Sequence, residues 1–346
     1  MSEASVYTPK GIVFAPTYQC PARCDHCNIP FNTLDTMVKL GIDTAKRVLS
    51  EAVGIGIHAF QFAGGEPTLC EDFMVEVFEE GRRLSMKMHR PPTNCLLGGT
   101  PEKLRVFLER LKKAGFTAGF RLSCDTYHHR IPTDWIARFI FESASTITLR
   151  HFSIGCCDIN ERRSRMLLSE LCEGLERLGM KAVLEEKIIS TDAGRIKLGF
   201  WAPTRPAWKT LPDDAVIARD VTADTADSDR RDRAAPISPF GCVGPMGVGY
   251  FWVDPDGSVR ACCGNANIFN ESLVIGNVNR ESLSVIRERA ARDPLLGVLA
   301  EGGPVGLALK MGREEVFNKR YTHRCELCHE LLAGGKARSM FSLPAT

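Results

Sequence analysis

Three cysteines stand close together near the start of the chain, in the run Cys20-Pro-Ala-Arg-Cys24-Asp-His-Cys27. The spacing is C-x3-C-x2-C. Three thiolates this close can hold three irons of a cubane cluster and leave the fourth iron open to a ligand. Zinc would want a fourth donor, and His26 is a poor one because it adjoins Cys27. A structural zinc knot completed by a distant cysteine stays open on spacing alone. A second group lies in the last third: Cys242, then Cys262 and Cys263, then Cys325-Glu-Leu-Cys328. Four of these thiolates could close either a zinc site or a second cubane.

Other residues carry chemistry at shorter range. Gly64-Gly65-Glu66-Pro67 joins two residues that let the backbone approach a ligand to a carboxylate that can pair with an ammonium. Thr93-Asn94 and Ser123-Cys124-Asp125 end further apolar runs. Cys156 and Cys157 follow another, where a thiol could give a hydrogen atom to a substrate radical. His128 and His129 could bind substrate or act as a base. Glu185, Glu186 and Lys187 would place at least one charge inward if they lie on a strand. Cys70, Cys95, Cys124, Cys172 and Cys263 also lie outside the proposed ligand set, and Cys172 reads as core.

The elements that must position these groups alternate. Strand-like runs occur at 11–15, 58–62, 86–94, 116–122, 146–154 and 181–189, with two prolines weakening the third. Helical patterns lie between them at 44–53, 72–83, 101–114, 133–143 and 163–178. Such alternation implies a parallel sheet, open or curled into a partial barrel. The candidate motifs fall at the C-terminal ends of successive strands, where parallel α/β folds place ligands. Residues 213–236 are rich in Asp, Arg, Ala and Thr and read as a linker or surface loop. A hairpin with Asp256-Gly257 in its turn follows, then a helix at 281–292. The division expected is 1–208, a linker at 209–239, and 240–346.

The whole chain has 346 residues, 44% hydrophobic and 25% charged, which fits a soluble globular protein. Forty-four Lys and Arg against 42 Asp and Glu leave a net charge of +2, too little basic excess to make nucleic acid the expected partner. The N-terminus lacks an apolar signal core, and no run is long enough to span a membrane. A cytoplasmic location is the expectation. In that reducing compartment fourteen cysteines read as metal ligands or reactive thiols before disulfides.

The C-x3-C-x2-C run after the first strand, followed by Gly64-Gly65-Glu66-Pro67 after the second, resembles the radical S-adenosylmethionine (SAM) superfamily. The resemblance covers about residues 10–200. It implies a partial (β/α)6 barrel, a 4Fe-4S cluster on Cys20, Cys24 and Cys27, and SAM at Gly64, Gly65, Glu66, Pro67, Asn94, Ser123 and Asp125. His26 stands where the family usually has an aromatic residue, and Cys95 replaces a family glycine. The later cysteines, with Gly257 five positions before Cys262, resemble the SPASM/Twitch extension, a small α+β domain. This implies a second 4Fe-4S cluster on Cys242, Cys262, Cys325 and Cys328, with the glycine register favouring Cys262 over Cys263. The implied chemistry is reductive cleavage of SAM to a 5′-deoxyadenosyl radical that takes a hydrogen atom from substrate. A two-electron oxidation is expected. Epimerisation quenched by Cys156 or Cys157, peptide crosslinking, activation of a glycyl-radical protein and a non-catalytic zinc scaffold remain alternatives. The implied partners are a small-molecule or peptide substrate and an external electron donor such as flavodoxin or ferredoxin. The short stretch before Cys20 favours a small molecule over a leader-guided peptide.

Overall fold

The computed structural model describes residues 9–24, 26–30, 34–96, 100–128, 130–157, 161–201, 249–264, 270–319 and 324–341. The expected linker at 213–236, Cys242 and His129 lie outside them.

The first strand, β1 (Gly11–Phe14), is buried along its whole length. Its alternate residues serve two cores. Ile12 and Phe14 join the large core under the helices, whereas Val13 and Ala15 face an inner cluster with Tyr18, Tyr250 and Trp252. That two-sided burial is why the run is apolar without alternation, as parallel strands require. Helix α1 (Ile42–Gly54) turns Ala45, Val48, Leu49 and Ala52 inward at helical spacing. Strand β2 (Ala59–Phe62) then pairs parallel to β1, and α2 (Glu71–Arg83) returns the chain.

The wall parts at the next strand. β3 (Lys87–Met88) pairs with β2, whereas β4 (Pro92–Thr93) pairs with β5 (Arg121–Ser123) in a second sheet. Pro91 and Pro92 have no N–H to give, so the strand cannot run unbroken between two neighbours. Helix α3 (Pro101–Lys113) precedes β5, capped by Thr100 with proline in its first turn. β5 is shorter than the apolar run at 116–122 because Gly115 and Gly119 take φ of +83° and +69°. Phe116 and Phe120 are buried by the loop those glycines form.

Helix α4 (Thr133–Ala144), β6 (Ser153–Cys157) and α5 (Glu161–Arg177) follow. The run expected as a strand at 146–154 begins instead as a buried loop and a 3-10 turn at Leu149–His151. Burial of Ile147 and Leu149 explains its apolar character. The sixth strand is also displaced. Residues 181–189 form a hairpin of β7 (Ala182–Leu184) and β8 (Ile188–Thr191), antiparallel to each other. Glu185, Glu186 and Lys187 sit exposed at its turn, not inward. The strand beside β6 is β9 (Gly194–Trp201), parallel to it. Six parallel positions thus line an α/β partial barrel that does not close.

After residue 248 the chain returns to the barrel. β10 (Tyr250–Val253) pairs parallel to β1 on the edge opposite β2. β11 (Ser258–Arg260) and β12 (Val274–Asn277) continue the sheet in antiparallel order, giving β12-β11-β10-β1-β2-β3. Gly257 turns the hairpin at φ +84°. Its missing side chain also admits Asn279, whose Nδ2 would stand 2.3 Å from a Cβ there. Helices α6 (Leu283–Ala291), α7 (Pro294–Lys310), α8 (Arg324–Leu332) and α9 (Lys336–Met340) complete this part. Among the described residues no helix is long and apolar enough to cross a membrane.

Candidate active site

Cys20, Cys24 and Cys27 lie on the loop that leaves the C-terminal end of β1. The loop is held by main chain. Gly65 N donates to Thr17 O at 2.8 Å and Glu66 N to Gln19 O at 2.8 Å. The glycines permit this approach: a Cβ on Gly65 would stand 2.2 Å from Gln19 O, and one on Gly64 2.7 Å from Thr17 O. Gly64 also takes φ +100°. The two glycines therefore fit the cysteine loop itself.

Glu66 is fully buried, and its carboxylate faces protein. Oε1 accepts from Thr68 N at 3.1 Å, Thr68 Oγ1 at 2.6 Å and Thr93 Oγ1 at 2.9 Å. Oε2 accepts from Asn94 N at 2.7 Å. Burial pushes the carboxyl pKa up, and these donors oppose that rise. These protein donors make the carboxylate a tie between the turn at Pro67, itself buried, and the end of β4. Thr93, named from the sequence only beside Asn94, proves to be one of the anchors. Asn94, positioned by that anchor, sends Nδ2 to Cys20 Sγ at 3.3 Å. Cys95 keeps φ +66°, a conformation in which glycine costs nothing and a larger residue is strained.

Strand β5 delivers Ser123 half-buried and Asp125 buried. Asp125 Oδ1 accepts from Tyr127 N at 2.9 Å and lies 2.8 Å from His128 Nδ1, which fixes that ring. His26 packs on both neighbours, with ring centroids 5.0 Å from Tyr127 and 4.9 Å from His128. It fills the aromatic position that its sequence identity put in question.

The cysteine loop meets two tests of an iron–sulfur site. Its sulfurs receive hydrogen bonds, from Asn94 to Cys20 and from Ile29 N to Cys27 at 3.5 Å. Donors of this kind tune cluster potentials. Burial also pushes the Cys27 thiol up to about 12, and a metal bound there would supply the positive charge that favours its thiolate. Among the described residues no three Cys, His, Asp or Glu side chains converge as ligands of a single metal ion would.

In the second group Cys262 and Cys325 come together. A Cβ on Gly264 would lie 3.2 Å from one sulfur and 3.0 Å from the other. Gly264 N donates to Cys262 Sγ at 3.2 Å. Cys325 and Cys328 sit one turn apart on α8, on one face. Cys263 is buried in the inner cluster with Tyr250 and Trp252, and burial, with Cys325 nearby, pushes its thiol up to about 12.

The loops of the two groups are bridged by residues that sequence reasoning did not single out. Tyr18 Oη hydrogen-bonds Asp254 Oδ1, Trp252 Nε1 donates to the same oxygen at 2.8 Å, and Arg260 Nε donates to Oδ2 at 2.7 Å. Burial, with Asp254 nearby, drives the Tyr18 phenol far above its usual range. Tyr18 lies two residues before Cys20 and Arg260 two before Cys262. From sequence, Asp256-Gly257 fell in the adjacent hairpin turn and Asp254 was given no part.

Cys156 needs a correction. It lies within β6 rather than beyond it, is fully buried, and shares the helix-facing core with Ile154. Alternation therefore turns its thiol away from the barrel interior. The side chain of Cys157 lies outside the described residues.

Comparison with known proteins follows this geometry. Residues 14–142 match the model of the radical SAM superfamily, and 242–329 match that of the SPASM iron–sulfur cluster-binding domain. The PqqA peptide cyclase of Rhodopseudomonas palustris is 36% identical over 66 residues, 19% of this chain and 18% of that protein. That of Granulibacter bethesdensis is 27% identical over 112 residues, 32% of this chain and 28% of that protein. The chain thus spans less than a third of the length of either relative. The solved structure of native anSMEcpe with bound AdoMet is 16% identical, with a TM-score of 0.52 over 81% of this chain and 80% of that one, which shows a shared fold. The matched domains imply a 4Fe-4S cluster with SAM on the first and auxiliary iron–sulfur binding on the second. With its cysteine loop on the first strand, its GGEP turn on the second and its C-terminal cysteine domain, this chain belongs to the radical SAM superfamily and carries a SPASM-type domain.

Proposed function

We propose that this chain is an enzyme that cleaves SAM reductively and modifies a peptide by hydrogen-atom abstraction. The observation that carries the proposal is the Cys20–Cys24–Cys27 loop, held by two 2.8 Å main-chain bonds against a GGEP turn that only glycine can fill. When bound, the cluster and SAM together supply the radical chemistry. The protein's own residues supply the rest. Cys20, Cys24 and Cys27 hold the cluster, and Asn94 donates to the first of them. Gly64 and Gly65 set the loop, and Ser123 and Asp125 present polar groups at the strand ends where SAM would lie. Asp125 orients His128 beside them.

A peptide is the favoured substrate class. The sequence relatives are named PqqA peptide cyclases, and the anSMEcpe fold has been solved with a bound Cp18Cys peptide. An external one-electron donor such as flavodoxin or ferredoxin supplies the reducing electrons. The finer reading is a net two-electron oxidation. It is supported by the convergence of Cys262 and Cys325, which with Cys328 and Cys242 would give an auxiliary cluster with every iron ligated.

Anaerobic reconstitution tests the first step. Two cubanes would give about eight irons per chain, with 5′-deoxyadenosine and methionine released from SAM on reduction. Zinc with negligible iron would overturn the proposal. Product mass tests the finer step. Oxidation gives a product two mass units lighter, and an isobaric product that takes deuterium from heavy water would replace oxidation with epimerisation.

A further inference from the structure

The displaced sixth strand changes what the inner wall of the barrel offers. Leu122, Ile154 and Leu198 share one register row across β5, β6 and β9 and face the helix core. Alternation turns the rows above and below them to the inner face. Nearer the strand ends that row is Ser123, Gly155 and Gly199. Below it the row is Arg121, Ser153 and Lys197. Strands about 4.8 Å apart put Arg121 and Lys197 about 10 Å apart at Cα, with a hydroxyl between them. The two rows are about 6.5 Å apart.

The lower row holds two cations and no acid. Among the described residues the Arg121 side chain makes no hydrogen bond or ion pair, although it is half-buried. Burial alone lowers its pKa, with no carboxylate acting against it. The buried Arg260 is treated differently. Arg260, 7% exposed, is matched by Asp254, to which its Nε donates at 2.7 Å. A guanidinium taken out of water with its donors unmatched is costly unless an anion arrives. The row above it carries glycine at two of its three positions, so no side chain projects there from Gly155 or Gly199.

We propose that Arg121 and Lys197, on either side of Ser153, form a subsite for a carboxylate of the substrate. The planar fork of Arg121 suits two carboxylate oxygens, and Ser153 can donate a third hydrogen bond. A substrate anchored there would rise past Gly155 and Gly199 toward the strand ends. This placement rests on the reading of the protein as a radical SAM enzyme, because that reading puts SAM at those ends. The carboxylate could be an acidic side chain or a chain terminus of a peptide.

The test is isothermal titration of the reconstituted, SAM-loaded protein with three capped or uncapped tripeptides. These are acetyl-Gly-Glu-Gly-amide, acetyl-Gly-Gln-Gly-amide and acetyl-Gly-Gln-Gly with a free C-terminus. The expected result is at least about tenfold tighter binding of one carboxylate peptide than of the neutral one; which of the two binds identifies the carboxylate source. Arg121→Gln should abolish that preference, and Arg121→Lys should keep part of it. Lys197→Gln, at an exposed position, should reduce it about threefold and covers the case in which both Arg121 variants unfold. Equal affinity for all three peptides, no measurable binding of any, or a preference that survives Arg121→Gln would overturn the subsite. So would displacement by inorganic phosphate at lower concentration than by either carboxylate peptide. Reductive cleavage of SAM by the parent protein is measured separately. Its failure would remove the radical SAM reading, whereas its success with equal peptide affinities would remove only the subsite.

Discussion

Glu66 shows how a motif residue can serve a site through the fold. Its two oxygens accept four hydrogen bonds from Thr68, Thr93 and Asn94. Removing the carboxylate would leave those donors buried and unmatched. Glu66→Ala should therefore lower stability by about 2–4 kcal/mol. It should also lower iron content after reconstitution, because Asn94 would no longer be held toward Cys20. Thermal denaturation and iron assay check both. A variant with the parent's melting temperature and iron, weakened only in SAM binding, would instead support the ammonium-pairing role read from the motif. The motif was legible in the sequence, but the direction of its side chain was not. That direction depends on β4, whose approach is decided 27 residues later at Thr93.

At the scale of elements the decisive contact is between the loop after β1 and the β10–β11 hairpin. Asp254 is the common acceptor for Tyr18, Trp252 and Arg260, and each is buried. Asp254→Ala would strand the Arg260 guanidinium and should cost about 3–5 kcal/mol. Tyr18→Phe should cost about 1–2 kcal/mol, the worth of a hydrogen bond to a charged group. Because both act on one network, Tyr18→Phe and Asp254→Asn should be non-additive by more than about 0.5 kcal/mol in denaturant unfolding. Simple additivity would mean that the bridge is not formed in solution. Gly65→Ala belongs at this scale too. Its Cβ would stand 2.2 Å from the Gln19 carbonyl, so the cysteine loop must move, and iron retention should fall while the helical content measured by circular dichroism is kept.

At the scale of the molecule, the division at residue 208 cuts through a hydrogen-bonded sheet. β10 covers one edge of β1, and all four β1 residues are buried. A fragment of residues 1–208 would expose that edge and the apolar face that Tyr250 and Trp252 cover. Exposed edges of this kind drive association. The fragment should elute as aggregate in size-exclusion chromatography, whereas the full chain should give a discrete peak. A monomeric fragment with native-like circular dichroism would show that the barrel stands without the C-terminal hairpin.

The sequence by itself determined the chemistry and the order of the layers. Cysteine spacing, the GGEP turn and the strand–helix alternation are local properties, set by residues that are neighbours along the chain. The α/β partial barrel and the Gly257 turn followed from them. Other features were decided only by tertiary structure. The sixth parallel strand proved to be β9, because the apolar run before it folds on itself as a hairpin. Cys156 proved to face the helices, because a strand's facing is fixed by its register with β5 and β9 and not by its position near a strand end. The Tyr18–Asp254 bridge joins residues 236 positions apart, and the row of Arg121, Ser153 and Lys197 joins three strands. Hydrogen-bonded sheets bring such residues together across long loops, and no periodicity in the chain records which strands will be neighbours.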